Sequence, residues 1–154
     1  MDTDLIRLFH SLLRWLVLLS VGTAGTMALL GYLRKSPIIV WHRSVSIVAM
    51  ITCHIQLVVG LIFYAFRYKA YGAMTGRGFQ STMGATVQRF WKYEHIAMMI
   101  IAIALVTIGR IVSKKAKTEE GKQLRVAIFY LLALVIMLFY IPWPFREVIG
   151  RGWL

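Results

Sequence analysis

The chain has 154 residues, of which 59% are hydrophobic and 16% charged, and its 18 Lys and Arg against 6 Asp and Glu leave a net charge of +12. Soluble domains carry roughly a quarter of their residues charged, and one small core buries only part of so much apolar surface, so an ordinary soluble domain is excluded and lipid is the expected solvent. The single cysteine, Cys53, excludes an intrachain disulfide, Cys-x-x-Cys-His haem attachment and four-cysteine iron–sulfur ligation.

The opening Met1-Asp2-Thr3-Asp4 is acidic and lacks the basic n-region of a cleavable signal, so the first apolar stretch is expected to persist as a helix. Apolar runs then cover residues 5–33, 45–66, 90–112 and 126–141, the last stopped by Pro142 and Pro144. Crossing the hydrocarbon takes about 20 residues at 1.5 Å rise, and a membrane segment must satisfy its backbone internally. The expected fold is therefore all-α, one integral membrane four-helix bundle in up-down-up-down order. Gly22, Ala24 and Gly25 are expected to let a neighbouring helix approach the first one closely.

The connections at 34–44 and 113–125 are short and basic, whereas 67–89 is longer and mixes Gly72, Gly76, Gly78 and Gly84 with Tyr68, Tyr71 and Phe79. That mixture suits either a plain loop or a lid at headgroup level. Lys and Arg number nine on each side of the four spans, so the positive-inside rule hardly decides. The denser cations of the short loops, and Asp2, Asp4, Glu94 and Glu147 opposite, favour short loops in the cytoplasm. Positive residues flank the apolar runs instead of lining one soluble face, which points to the lipid bilayer and not to nucleic acid.

All four histidines lie in or at the ends of apolar helices, where an ionisable side chain is costly and marks a functional candidate. Counted from the short-loop side, His54 is about 15 Å deep, His95 about 22 Å and His10 about 36 Å, while His42 sits at the surface. Zinc catalysis would need a third ligand and an open position, and Glu94 points about 100° away from His95 round the helix. Met50, Met98 and Met99 suit Cu(I). Haem b suits the pattern better, since its iron accepts two imidazoles and a four-helix bundle supplies an apolar slot. Depth favours His54 with His95 as the axial pair. Arg14, one turn after His10, favours His10 with His95, because it could bind a propionate from the same helix or else snorkel to lipid phosphate.

The series His10-Ser-Leu-Leu-Arg14-Trp15, His54-Ile-Gln56-Leu-Val-Val-Gly60, Glu94-His95 with Met98, Thr107-Ile-Gly109 and Ile141-Pro142-Trp143-Pro144-Phe145 resembles small bacterial four-helix membrane proteins commonly labelled b-type cytochromes. The resemblance implies a haem-binding subunit of a bacterial inner membrane, with His10, His54 and His95 at the motif histidines. A looser likeness, to the small four-helix protoporphyrinogen oxidase, rests on the early histidine. That enzyme pairs it with a third-helix lysine, where this chain has His95, with Lys92 only at the helix mouth.

Two functions follow as expectations. One is an electron-transfer module that exchanges electrons with a quinol, whose pocket Trp91, Tyr93 and Glu94 could line, and with other subunits of a membrane complex. The other is a cofactor-free accessory subunit whose histidines join helices by hydrogen bonds. No nucleophile–base set or Gly-rich phosphate loop of recognised spacing occurs, so a stand-alone enzyme is not the expectation.

Overall fold

The computed structural model describes residues 3–38, 40–73, 82–146, 149–150 and 152–153. Its helices are α1 (Thr3–Leu33), α2 (Val40–Ala73), α3 (Thr82–Arg89), α4 (His95–Lys114) and α5 (Glu119–Tyr140), with a π-helical turn at Phe90–Glu94. Backbone angles at Arg89 and His95 are helical, so α3, the π turn and α4 run on as one rod. Four segments are long and apolar enough to cross a membrane: Asp4–Leu33, His42–Lys69, Thr86–Lys114 and Glu119–Tyr140. The chain is a multi-pass membrane bundle, and lipid takes the place of a soluble core's surroundings.

Short connections make successive spans antiparallel. α1 packs against α2 and α5, and α5 against α4, while the α2–α4 seam is the least extensive. Around the bundle the order is therefore α1, α2, α4, α5, with α1 and α4 on one diagonal. Along α1 the inward positions are His10, Arg14, Val17, Val21, Ala24 and Ala28, a spacing of three and four that keeps them on one face.

Small residues set the helix separations, as membrane packing requires. A Cβ on Gly25 would stand 2.9 Å from the Leu131 side chain of α5, and one on Gly22 an ordinary 3.6 Å from Leu134. The close approach expected of this stretch is made by α5 at Gly25, with Gly22 in ordinary contact with the same helix. Polar side chains then tie the spans, both neighbours and the α2–α5 diagonal. Ser20 and Thr52 share a 3.1 Å hydroxyl bond between α1 and α2, and the wholly buried Tyr130 of α5 donates to the Ser46 carbonyl at 2.8 Å. Tyr130→Phe should lower unfolding stability by about 1 kcal/mol, with no change in helix content. Reversible denaturation in mixed micelles measures this.

The helices outrun the apolar runs at several boundaries: α2 begins at Val40, five residues before the expected 45, and two further differences stand out. α5 begins at Glu119, seven residues before the expected 126, so the polar 119–125 stretch is helix and not loop. Thr118 is the reason. Its side chain accepts from the Gly121 amide at 3.1 Å, and Glu119 and Glu120 place negative charge on the first turn. Thr118→Ala should cost about 1 kcal/mol and speed amide exchange in that turn. The second difference is in the long connection, which α2 and α3 shorten from both ends. Gly76, Gly78 and Phe79, the centre of the expected lid or loop, lie outside the described residues.

Candidate functional site

The diagonal helices α1 and α4 bring His10 and His95 together, with ring centroids 6.5 Å apart and planes at 75°. Phe63 of α2 lies 6.3 Å from the His10 ring, and Phe90 and Trp91 each lie 5.9 Å from the His95 ring. The His95 imidazole is fixed from the far side, because its Nδ1 lies 2.8 Å from the Tyr140 carbonyl at the end of α5. Nδ1 must donate there, so the acceptor lone pair belongs to Nε2.

The π turn sits directly before His95, and such one-turn bulges widen a helix and re-aim the residues that follow. His95 donates its amide to the Phe90 carbonyl, and the Lys92 carbonyl accepts the Tyr64 hydroxyl of α2 at 3.0 Å. Phe90 is thereby buried under the site. Lys92 itself spends its ammonium on the Tyr68 and Tyr93 rings, 5.1 and 5.4 Å away, and not in the bundle interior.

From α2 come Gln56, Gly60 and Phe63, at a spacing of four and three on one face. Gln56 donates to the His10 backbone carbonyl at 2.9 Å. A Cβ at Gly60 would stand 3.0 Å from His10 Cε1, so glycine is what lets this imidazole lie against α2. Gly60→Val should displace the His10 ring while leaving the spans intact, read as a shifted His10 imidazole resonance at unchanged helix content.

A cavity of about 130 Å³ opens among these residues, lined also by Leu57, Leu61, Met99 and Ile103. Three buried polar atoms on its walls lack a hydrogen-bond partner: His10 Nδ1, Arg14 Nε and Gln56 Oε1. Buried polar atoms are nearly always paired, and the cost of leaving three unpaired beside one cavity marks the place where a polar or metal-bearing ligand belongs.

Arg14 faces this cavity by one edge only. Its Nη2 donates to the Trp153 carbonyl at 2.5 Å, and its guanidinium lies 5.3 Å from the Trp15 ring centroid and 5.8 Å from that of Trp143. Trp15 in turn stacks on Trp153 at 6.2 Å. Arg14, one turn after His10, therefore ties Trp153 to the mouth of the bundle.

His54 lies elsewhere. It is exposed on the α2–α4 seam, with Nδ1 2.7 Å from the Met50 carbonyl and Nε2 3.5 Å from the Thr107 hydroxyl. Two residues separate it from Gln56, about 200° round a helix, so both cannot face one cavity. Of the residues considered for a quinol pocket, Trp91 lines the cavity, Tyr93 is 57% exposed, and Glu94 is paired with Arg89 at 2.6 Å. Among the described residues no three His, Cys, Asp or Glu side chains converge as a metal cluster, and the imidazoles on this cavity are those of His10 and His95.

Comparison with models of protein families, with curated proteins and with solved structures finds no match for this chain.

Proposed function

We propose that the cavity between α1, α2 and α4 is the seat of a b-type haem held by His10 and His95, in a bacterial inner-membrane subunit that exchanges electrons with a quinol and with a partner protein. The supporting observation is the 6.5 Å separation of the two imidazoles. Rings that share one metal at roughly 2.0–2.1 Å per bond keep their centroids roughly 6 Å apart. His95 is also oriented as metal-ligating histidines are, one nitrogen engaged by a backbone carbonyl and the other left to bind. The unpartnered His10 Nδ1 supports the same reading, because a ligand would relieve a buried imidazole that has no bond on that nitrogen.

A bound haem would supply one-electron chemistry, and the chain's part is to orient and insulate it. Tyr140 and Gly60 set the two rings, and Phe63, Phe90 and Trp91 exclude water around them. Arg14 would meet a propionate only by giving up Trp153. The donor set fits the group. The space is tighter, since about 130 Å³ holds roughly four waters, so Leu57, Leu61 and Met99 must swing aside to admit a macrocycle.

That small volume, and the commitment of Arg14 to Trp153, favour a second reading: an accessory subunit without cofactor, whose histidines join spans inside a larger complex. The test is an absorption spectrum of the protein purified with its native partners, oxidised and then dithionite-reduced, with haem extraction. A sharp reduced α-band of b type supports the haem subunit. A featureless spectrum removes it and leaves the accessory role.

A further inference from the structure

The opposite end of the bundle holds a second cavity, of about 270 Å³, where α1, α2, α4 and α5 meet the two short connections. Arg43, Arg110, Lys114 and Lys122 line it together with His42, and no carboxylate does among the described lining residues. Glu119 of α5's first turn accepts at 2.8 Å from the amide of Ile38, itself a lining residue, so its carboxylate is engaged at the edge of the cavity. The Asp4–Arg7 and Arg89–Glu94 ion pairs lie at the far end of the bundle. Four cations thus line one cavity with no carboxylate among its described lining residues, and an anion joining them would offset their mutual repulsion.

Gln123 is the second observation. It lines this cavity, is 4% exposed, donates Nε2 to the Ser36 carbonyl at 2.9 Å, and its Oε1 is buried without a hydrogen-bond partner. An acceptor waits there for a hydroxyl. Below the cations the walls turn apolar, with Ala24, Met27 and Ala28 of α1. The lining thus passes from cationic to hydroxyl-accepting to hydrocarbon, at the depth where a span ends at the membrane surface. We infer that this cavity binds the polyol phosphate headgroup of an anionic membrane lipid, of the phosphatidylglycerol kind. The cations take the phosphate and Gln123 takes a headgroup hydroxyl. Basic pockets between spans are known hosts for such headgroups, and a space of roughly nine waters accommodates one.

The test uses the full chain, delipidated in neutral detergent and titrated with phosphatidylglycerol, phosphatidylcholine or inorganic phosphate, with binding read by native mass spectrometry and thermal shift. Phosphatidylglycerol should bind and stabilise, and phosphatidylcholine should do neither. Removing one lining cation should weaken binding about fivefold, and Arg110→Gln with Lys122→Gln roughly 25-fold. Lys115→Gln with Lys117→Gln, which removes equal charge outside the cavity, should change it less than about twofold. Where the first pair fails to give monodisperse helical protein, Lys114→Gln alone carries the test at about fivefold. Equal losses in the cavity and control variants would mean diffuse attraction to the surface and overturn the site. Equal stabilisation by inorganic phosphate would assign the cations to a free anion and overturn the lipid.

Discussion

His95→Ala is expected to abolish the b-type absorption band that the proposed haem would give, whereas His54→Ala should leave it in place. The contrast follows from where the two rings lie. His95 faces His10 across the bundle, and its Nδ1 is held by the Tyr140 carbonyl. His54 sits on the exposed stripe of α2, bonded back to its own helix at the Met50 carbonyl. Losing one of the two imidazoles that would hold the proposed haem would remove the bond that keeps it in place, so the expected loss is of the cofactor and not of a few millivolts of tuning. His10→Ala should act like His95→Ala. Haem content per protein, by pyridine extraction, measures all three variants at once. Loss of haem in His54→Ala with retention in His10→Ala would transfer the site to the α2–α4 seam.

Gly109→Ala should be the most destabilising single-methyl change in the bundle. A Cβ there would stand 2.5 Å from Phe129 Cβ and 3.1 Å from its Cγ. The obstructing atom is fixed to the α5 backbone, so no rotamer change relieves the clash and the helices themselves must separate. Overpacking of this kind costs about 1–3 kcal/mol, and here it falls on the α4–α5 contact that also carries the buried Tyr130. Gly22→Ala is the matched control. Its added methyl would lie 3.6 Å from Leu134, ordinary van der Waals contact, and stability should hardly move. Thermal unfolding of both variants in one detergent decides it, and equal midpoints would show that α4 and α5 are not pressed together at this glycine.

Both expectations concern positions whose residue type was legible and whose geometry was not. Thr107-Ile-Gly109 stands out in the sequence as a motif, yet only Phe129, twenty residues on, explains why glycine is needed. Gln56 and Gly60 likewise stand in a motif with His54 and turn out to serve His10 instead. Arg14 was read as a partner for a propionate or for lipid phosphate, and its bond goes to Trp153. Nothing near Arg14 in the chain could have announced a carbonyl 139 positions away.

The four spans, their antiparallel order and the bilayer around them were determined by the sequence alone, because a continuous apolar run of about 20 residues has one way to satisfy its backbone in lipid. Its depth ruler failed at the histidines: it set His54 level with His95 and His10 about 14 Å above them. Yet the His10 ring lies 6.5 Å from that of His95, while His54 meets Thr107, twelve residues along α4 from His95. Tilt and the height at which each span enters are not written in an apolar run. Only the tertiary structure decided which of them meet. Height does not fix the direction a side chain points, and His54 and Gln56, about 200° apart, show how far two neighbouring residues of one helix diverge. Rotation of a span about its own axis is set by long-range contacts: Gly25 against Leu131, Gly109 against Phe129, and the Tyr140 carbonyl on His95. Those contacts place His10 and His95 across one diagonal and leave His54 facing out.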